Sequence, residues 1–219
     1  MFPHLKSKSE VQFGASTQNS YNYGKTISVI MLPMKGTQIP PTSLPPNRIK
    51  VLSIGSAGSG KSCLIKRYCE ERFVAKYIAT IGVDYGVKLI KIDHSGEFRV
   101  NFWDLSGHPD FFEVRNEFYK DTQGCLLVYD VTNRESFEQC DAWLVEATKY
   151  GANYIEIPIA LCANKTDKTR EVVVSEDEGK KWAKSKGITY FETSALSGSN
   201  VPEMFNFLFR EIIRKNNLQ

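Results

Sequence analysis

From residue 48 onward, short apolar runs alternate with longer stretches of helical periodicity. "RIKVLSIG" (48–55) is a β-branched run ending in glycine, and "VKLIKI" and "FRVNFWD" flank "DHSG" (93–96), which predicts a hairpin turn. "CLLVYD" (125–130) and "IPIALCAN" (157–164) are almost continuously apolar, as expected of parallel strands covered on both faces. Between the runs lie helical segments. Ser175-Glu176-Asp177-Glu178 reads as a capping box and Gly187 as the stop of that helix. In the last helix Asn200 is the expected cap and Pro202 sits in the first turn. Val201, Met204, Phe205, Leu208 and Ile212 fall on one face. This order predicts an α/β fold: a mostly parallel, six-stranded sheet with helices on both faces.

The first 47 residues break the pattern. They are rich in Ser, Asn, Thr, Gly and Pro and end in "QIPPTSLPPN", whose proline pairs favour an extended chain. A disordered tail is expected over 1–47, one domain over 48–215 and a short tail over 216–219. One apolar run, "ISVIML" (27–32), interrupts the tail. A docking segment, an added strand and a merely sticky stretch all stay open, as does a start at Met31 or Met34.

Composition narrows the function. With 219 residues, 42% hydrophobic and 24% charged, the chain suits one domain with a sizeable core. A net charge of +3 is too weak to imply nucleic acid or an anionic membrane as partner. The five cysteines lack metal-ligand spacing and read as thiols of a reducing compartment. The start has no signal-peptide pattern, and no apolar run approaches the roughly 20 residues that span a bilayer. A cytoplasmic or nuclear monomer is expected.

The chemistry begins after the first strand. "GSAGSGKS" (55–62) matches G-x-x-x-x-G-K-[ST]. Glycines let the backbone curl so that successive N–H groups face anionic oxygens, and the next helix aims its positive end at the same point. Lys61 would reach the β- and γ-phosphates, and Ser62 would bind Mg2+. "NKTD" (164–167) closes an apolar strand. Asp167 would accept from both N1–H and the 2-amino group of guanine, donors that adenine lacks. Asn164 and the Lys165 stem would hold the loop and cover the base. "ETSAL" (192–196) would offer the Ala195 N–H to guanine O6. Thr80, in "YIATIGVDYG" (77–86), would bind Mg2+ through its hydroxyl and the γ-phosphate through its N–H. Asp104 would hold Mg2+ through water, and the Gly107 N–H would meet the γ-phosphate. Phe73 would stack edge-on against guanine, with a core role as the alternative.

With these motifs in order, the sequence resembles a Ras-superfamily small GTPase. "TIGVDYG", "FWDLSG" and "LLVYDVT" resemble the Rab group, and "KRYCEERFVAKYIATIGVDYGV" with "EVRNEFYKDTQG" resembles its RJL or RBJ branch. The resemblance covers Arg48 to about Lys215. It implies a P-loop NTPase G domain that binds GTP or GDP with Mg2+. Effector, exchange and activating proteins would meet it at 77–86 and 104–119. It implies nucleotide contacts from Ser56, Ala57, Gly58, Ser59, Gly60, Lys61, Ser62 and Cys63; from Phe73, Tyr77, Thr80 and Gly107; and from Asn164, Lys165, Asp167, Ser194, Ala195 and Leu196. Lys61, Thr80, Gly107 and His108 are the implied catalytic residues, and Ser62, Thr80 and Asp104 the metal ligands. The branch is associated with ciliated and flagellated cells, so the base of a cilium or flagellum joins the expected locations.

Two departures matter. Rab proteins usually end in prenylated cysteines, whereas the last cysteine here is Cys162, so no lipid anchor of its own is expected. Ras-like proteins usually carry a water-orienting glutamine directly after the D-x-x-G glycine; here it is His108. Imidazole is shorter and has at most one acceptor when neutral. Pro109 biases His108 toward extended backbone. Hydrolysis is therefore expected to be slow, and a GTP-loaded scaffold is the alternative. His108-Pro109-Asp110 is also the tripeptide by which J-domain co-chaperones act, but a strand rather than a basic helix precedes it.

Overall fold

The computed structural model describes residues 47–92 and 95–218. In chain order the elements are β1 (Asn47–Ile54), α1 (Lys61–Glu70), β2 (Val83–Ile92), β3 (Gly96–Leu105), α2 (Phe112–Asn116), β4 (Gly124–Asp130), α3 (Arg134–Glu138), α4 (Cys140–Lys149), β5 (Ile159–Asn164), α5 (Glu176–Lys186), β6 (Thr189–Thr193) and α6 (Val201–Asn216). One six-stranded sheet has the order β2-β3-β1-β4-β5-β6. Only the β2–β3 hairpin is antiparallel, running from Val83↔Leu105 to Ile92↔Gly96; the other neighbours are parallel. The mostly parallel α/β sheet expected above is the fold.

The continuous apolar runs have a direct physical reason. Along β4, Cys125, Leu127 and Tyr129 pack toward Trp143 and Leu144 of α4 and Ala183 of α5. Leu126 and Val128 point the other way, toward Leu64 of α1 and Met204, Phe205 and Leu208 of α6. A strand with a core on each side favours apolar residues on both faces, and the one charge, Asp130, stands at its end. On α6 the predicted face is buried, and Phe205 lies against Tyr68 at a ring separation of 4.3 Å. Each such side chain contributes roughly 1.5–3 kcal/mol relative to exposure.

The boundaries differ in detail. Asn47, assigned to the tail, begins β1 and pairs with Phe98. Asn216, assigned to the C-terminal tail, is the last residue of α6. Ile157 and Pro158 precede β5 rather than belonging to it. Ser175 accepts from the Glu178 N–H, giving half of a capping box; the Glu178 carboxylate engages Arg134. Asn200 does not cap α6 with its side chain. Its backbone is left-handed (φ 56°), and its amide reaches back to the Glu192 carbonyl at 2.8 Å. The 27–32 run and the alternative starts lie outside the described residues.

β1 is flanked by β3 and β4, so the chain leaves β1 to build one side of the sheet and then crosses to build the other. The loop after β1 leads to α1 on one face, and the loop after β4 leads to α3 and α4 on the opposite face. A crevice opens at this point beyond the carboxyl ends of the strands. At the far end of the sheet, β1 begins, and Lys215 in the last turn of α6 donates to the Ile155 carbonyl ahead of β5 at 3.3 Å.

Candidate functional site

The crevice is a cleft of about 470 Å³. Ala57, Gly58, Gly60, Lys61, Ser62, Cys63, Phe73, Tyr77, Thr80, Gly107, His108, Asn164, Lys165, Asp167, Ala195 and Leu196 line it. Ser56, Ser59, Asp104 and Ser194 do not line it. Ser56 donates to Gln139 of α3–α4 at 2.7 Å, and Ser194 donates to Asp167 at 2.5 Å.

The loop between β1 and α1 is packed so tightly that Gly60 within it and Gly107 against it have no room for a side chain. Gly60 has φ 99°, and a Cβ there would fall 2.2 Å from the Asn164 amide nitrogen. Gly107 comes over this loop from β3; its Cβ would fall 2.3 Å from the Ala57 nitrogen and 2.4 Å from the Gly55 oxygen. The two loops therefore meet backbone to backbone. Lys61 is buried, and its ammonium donates to the Gly55 and Ser56 carbonyls at 2.8 and 3.0 Å. Burial lowers its pKa to about 8, partly offset by Asp104.

Asp104, at the end of β3, is also buried, and burial raises its pKa to about 6 against the opposing influence of Lys61 and Ser62. One carboxylate oxygen accepts from Ser62 and, at 3.5 Å, from Thr80; the other is buried without a hydrogen-bond partner. The Ser62 and Thr80 hydroxyls are 3.0 Å apart. Two hydroxyls and a carboxylate with a free oxygen form a hard donor set that fits Mg2+, which typically takes one or two carboxylates and completes its shell with phosphate and water. Among the described residues, no group of three or more His, Cys, Asp or Glu side chains is placed to hold a metal.

On the opposite wall, Asn164 joins three loops. Its amide donates to the Ser59 carbonyl at 2.8 Å, and its oxygen accepts from the Ala195 N–H at 3.3 Å and the Thr193 hydroxyl at 3.4 Å. The Ala195 N–H, expected to face guanine O6, is thus engaged by Asn164 through a long bond, because the Asn164 side chain lies between the two loops. Asp167 keeps one carboxylate oxygen beyond the one bonded to Ser194. Phe73 packs on the α1–α6 core, the alternative role, and also lines the cleft.

Sequence reasoning missed three supports. Asp130, opposite Asn164 in the β4–β5 register, pairs with the Lys165 ammonium at 2.6 Å. Arg67 of α1 donates to the Ala195 and Leu196 carbonyls at 2.8 and 2.6 Å. Gln139 holds Ser56. Only Asp130 left a signal, as the single charge ending the run "CLLVYD".

His108 is extended (φ −82°, ψ 138°), as Pro109 demands. Pro109–Phe111 forms a 3-10 turn, so the His-Pro-Asp tripeptide follows a strand and opens a turn. The His108 Nδ1 accepts from the Asp110 N–H at 3.3 Å and lies 3.5 Å from the Asp110 carboxylate. Its carbonyl accepts from Arg115 at 2.9 Å. For Arg115, burial is the largest single influence and works against the charge, but the hydrogen bonding and charge attraction of Glu146 and Tyr119 together outweigh it and raise the pKa.

The profile of the Ras family matches residues 50–214. The chain is 55% identical over 174 residues to "DnaJ homolog subfamily C member 27-B" of Xenopus laevis, covering 77% of this chain and 63% of that protein. It is 55% identical over 168 residues to "DnaJ homolog subfamily C member 27" of Danio rerio, covering 75% and 61%. The Homo sapiens protein of that name is 53% identical over 169 residues, covering 76% and 62%. The chain spans about three fifths of the length of these relatives.

Proposed function

The chain belongs to the Ras family of small GTPases, and from that premise we propose that it is a Rab-like switch of the RJL branch that binds GTP and GDP and hydrolyses GTP slowly. The branch assignment is supported by relatives named as DnaJ homologs, since some RJL members carry a J domain after the GTPase domain. The observation that carries the reading is one cleft lined by the glycine loop, Ser62, Thr80 and Asp167, with the Asp104 carboxylate bonded to Ser62 next to it.

In this reading the backbone N–H groups of the 55–62 loop and the Lys61 ammonium hold the phosphates. The free Asp167 oxygen and its partner accept from the two guanine donors. Mg2+, held by Ser62, Thr80 and Asp104, would neutralise charge on the triphosphate. Thr80 and Gly107 sense the γ-phosphate, so 77–86 and 104–119 change with nucleotide. Tyr77, Ile78 and Ile81 are exposed there, which suits a surface read by partner proteins.

Slow hydrolysis follows from His108. Its main chain is held by Arg115 and its Nδ1 by Asp110. With Nδ1 engaged by Asp110, the ring has one nitrogen left, whereas a glutamine amide presents both a donor and an acceptor to an attacking water. Single-turnover assays with Mg2+ and GTP test this: His108→Gln should hydrolyse faster than the wild type, and an unchanged rate would remove the explanation. The same His108-Pro109 feature favours a second reading, a GTP-loaded scaffold with negligible turnover. Nucleotide extracted from the purified protein separates them, GDP indicating turnover and GTP the scaffold. Equal competition by ATP and GTP would contradict the base assignment.

A further inference from the structure

We propose that Arg115 is a positioning residue that ties the γ-phosphate-sensing loop to α4 through Glu146, so that a buried ion pair outside the cleft sets the preference for GTP over GDP. The inference rests on the reading of the cleft above and adds Glu146 and the Arg115 contact to the Ser106 carbonyl, which that reading does not use.

Arg115 lies in α2 and is buried. Every guanidinium nitrogen has a partner. Nε and Nη2 grip the two Glu146 oxygens at 2.6 and 2.8 Å, and Nη1 donates to the His108 carbonyl at 2.9 Å and the Ser106 carbonyl at 3.5 Å. The guanidinium lies over the rings of Trp143, at 4.6 Å, and Phe112, at 5.3 Å. Tyr119 donates to the same carboxylate at 2.7 Å. Glu146 and Trp143 belong to α4. A planar fork with both ends occupied fixes orientation as well as distance.

The two carbonyls that Arg115 holds flank Gly107. The Ser106 carbonyl and the Gly107 N–H belong to one peptide unit, and a trans peptide points them in opposite directions. Anchoring Ser106 O toward α4 therefore turns the Gly107 N–H away from α4 and toward the cleft. The loop has little slack, because Gly107 already lies against the Gly55–Ala57 backbone. Arg115 holds it from behind while the phosphate loop limits it in front. A γ-phosphate that recruits the Gly107 N–H favours the arrangement in which this pair is closed. By linkage, the closed pair favours the γ-phosphate equally.

The full chain carries the test. Glu146→Gln keeps the shape and weakens the grip; Arg115→Lys keeps the charge and loses the fork. The expected result for each is GDP affinity within about two-fold of wild type. Affinity for a non-hydrolysable GTP analogue should be lower by on the order of 5- to 100-fold, with single-turnover hydrolysis falling alongside. Equal weakening of both nucleotides would mark the pair as structural and overturn the proposal. Hydrogen exchange on the wild type supplies a measurement independent of variant folding. Amides of 140–149 should gain protection when GDP is replaced by the GTP analogue, and identical protection would also overturn it. Failure of the wild type to bind either nucleotide would instead be a failure of the cleft reading.

Discussion

Replacing Asn164 with alanine tests whether the phosphate half and the base half of the cleft are built as one unit. The side chain is buried and bonded to the Ser59 carbonyl, the Ala195 N–H and the Thr193 hydroxyl. Truncation strands these partners in a region where leaving a polar group unsatisfied costs about 1–3 kcal/mol. The Thr193 bond is the longest, at 3.4 Å, so most of the effect should come from the other two, roughly 3 kcal/mol together. For a domain of this size that corresponds to a fall in melting temperature of about 6–12 °C. Freed from Asn164, the 55–62 and 193–196 loops would also lose their mutual register, and GDP should bind at least about ten-fold more weakly, the equivalent of 1.4 kcal/mol. The assay is displacement of a fluorescent GDP, paired with thermal unfolding. Thr193→Val, which removes only the longest bond, is the control and should bind GDP nearly as the wild type does. An Asn164→Ala protein that melts lower yet releases GDP at the wild-type rate would refute the linkage, leaving Asn164 as a residue of the fold alone.

Chelating Mg2+ should accelerate GDP release by an order of magnitude or more in the wild type, as judged by fluorescent-nucleotide dissociation. Ser62→Ala should show little further acceleration, because it has already lost a hydroxyl of the Ser62–Thr80–Asp104 set. Arg67→Ala frees the Ala195 and Leu196 carbonyls. With about 1 kcal/mol lost per bond, it should weaken GDP binding roughly five- to thirty-fold while the Arg67-free domain still unfolds cooperatively by calorimetry; unchanged binding would show that α1 does not brace the base loop.

What was legible in the chain is what local spacing encodes. The apolar runs of β4 and β5 announce two-sided burial, the periodicity of α6 announces one buried face, and the 55–62 and 164–167 motifs carry their chemistry in adjacent residues. The hidden parts are pairs that only the fold brings together. Arg115 and Glu146 are separated by 31 residues, and Lys165 meets Asp130 only because β4 and β5 are aligned so that Asp130 faces Asn164. Arg115, Glu146 and Lys165 each look like an ordinary charge in a helix or loop, and Asp130 differs only in ending an apolar strand. Asn200 shows the complementary limit. Its identity suits a helix cap, but a left-handed backbone sends the side chain to β6, and backbone hand at one residue is not set by residue type.

The first strand and the last helix also have a consequence for how the domain can be joined to other things. β1 begins, and α6 ends against Ile155, on the side of the sheet opposite the nucleotide cleft. Polypeptide joined directly at the start of β1 or the end of α6 leaves from that remote pole. A module joined directly to Asn47 or to the end of α6 would start on the side away from the cleft. The domain is wired like a plug with its leads at the back, and linker length rather than steric blocking would govern what its front surface can reach.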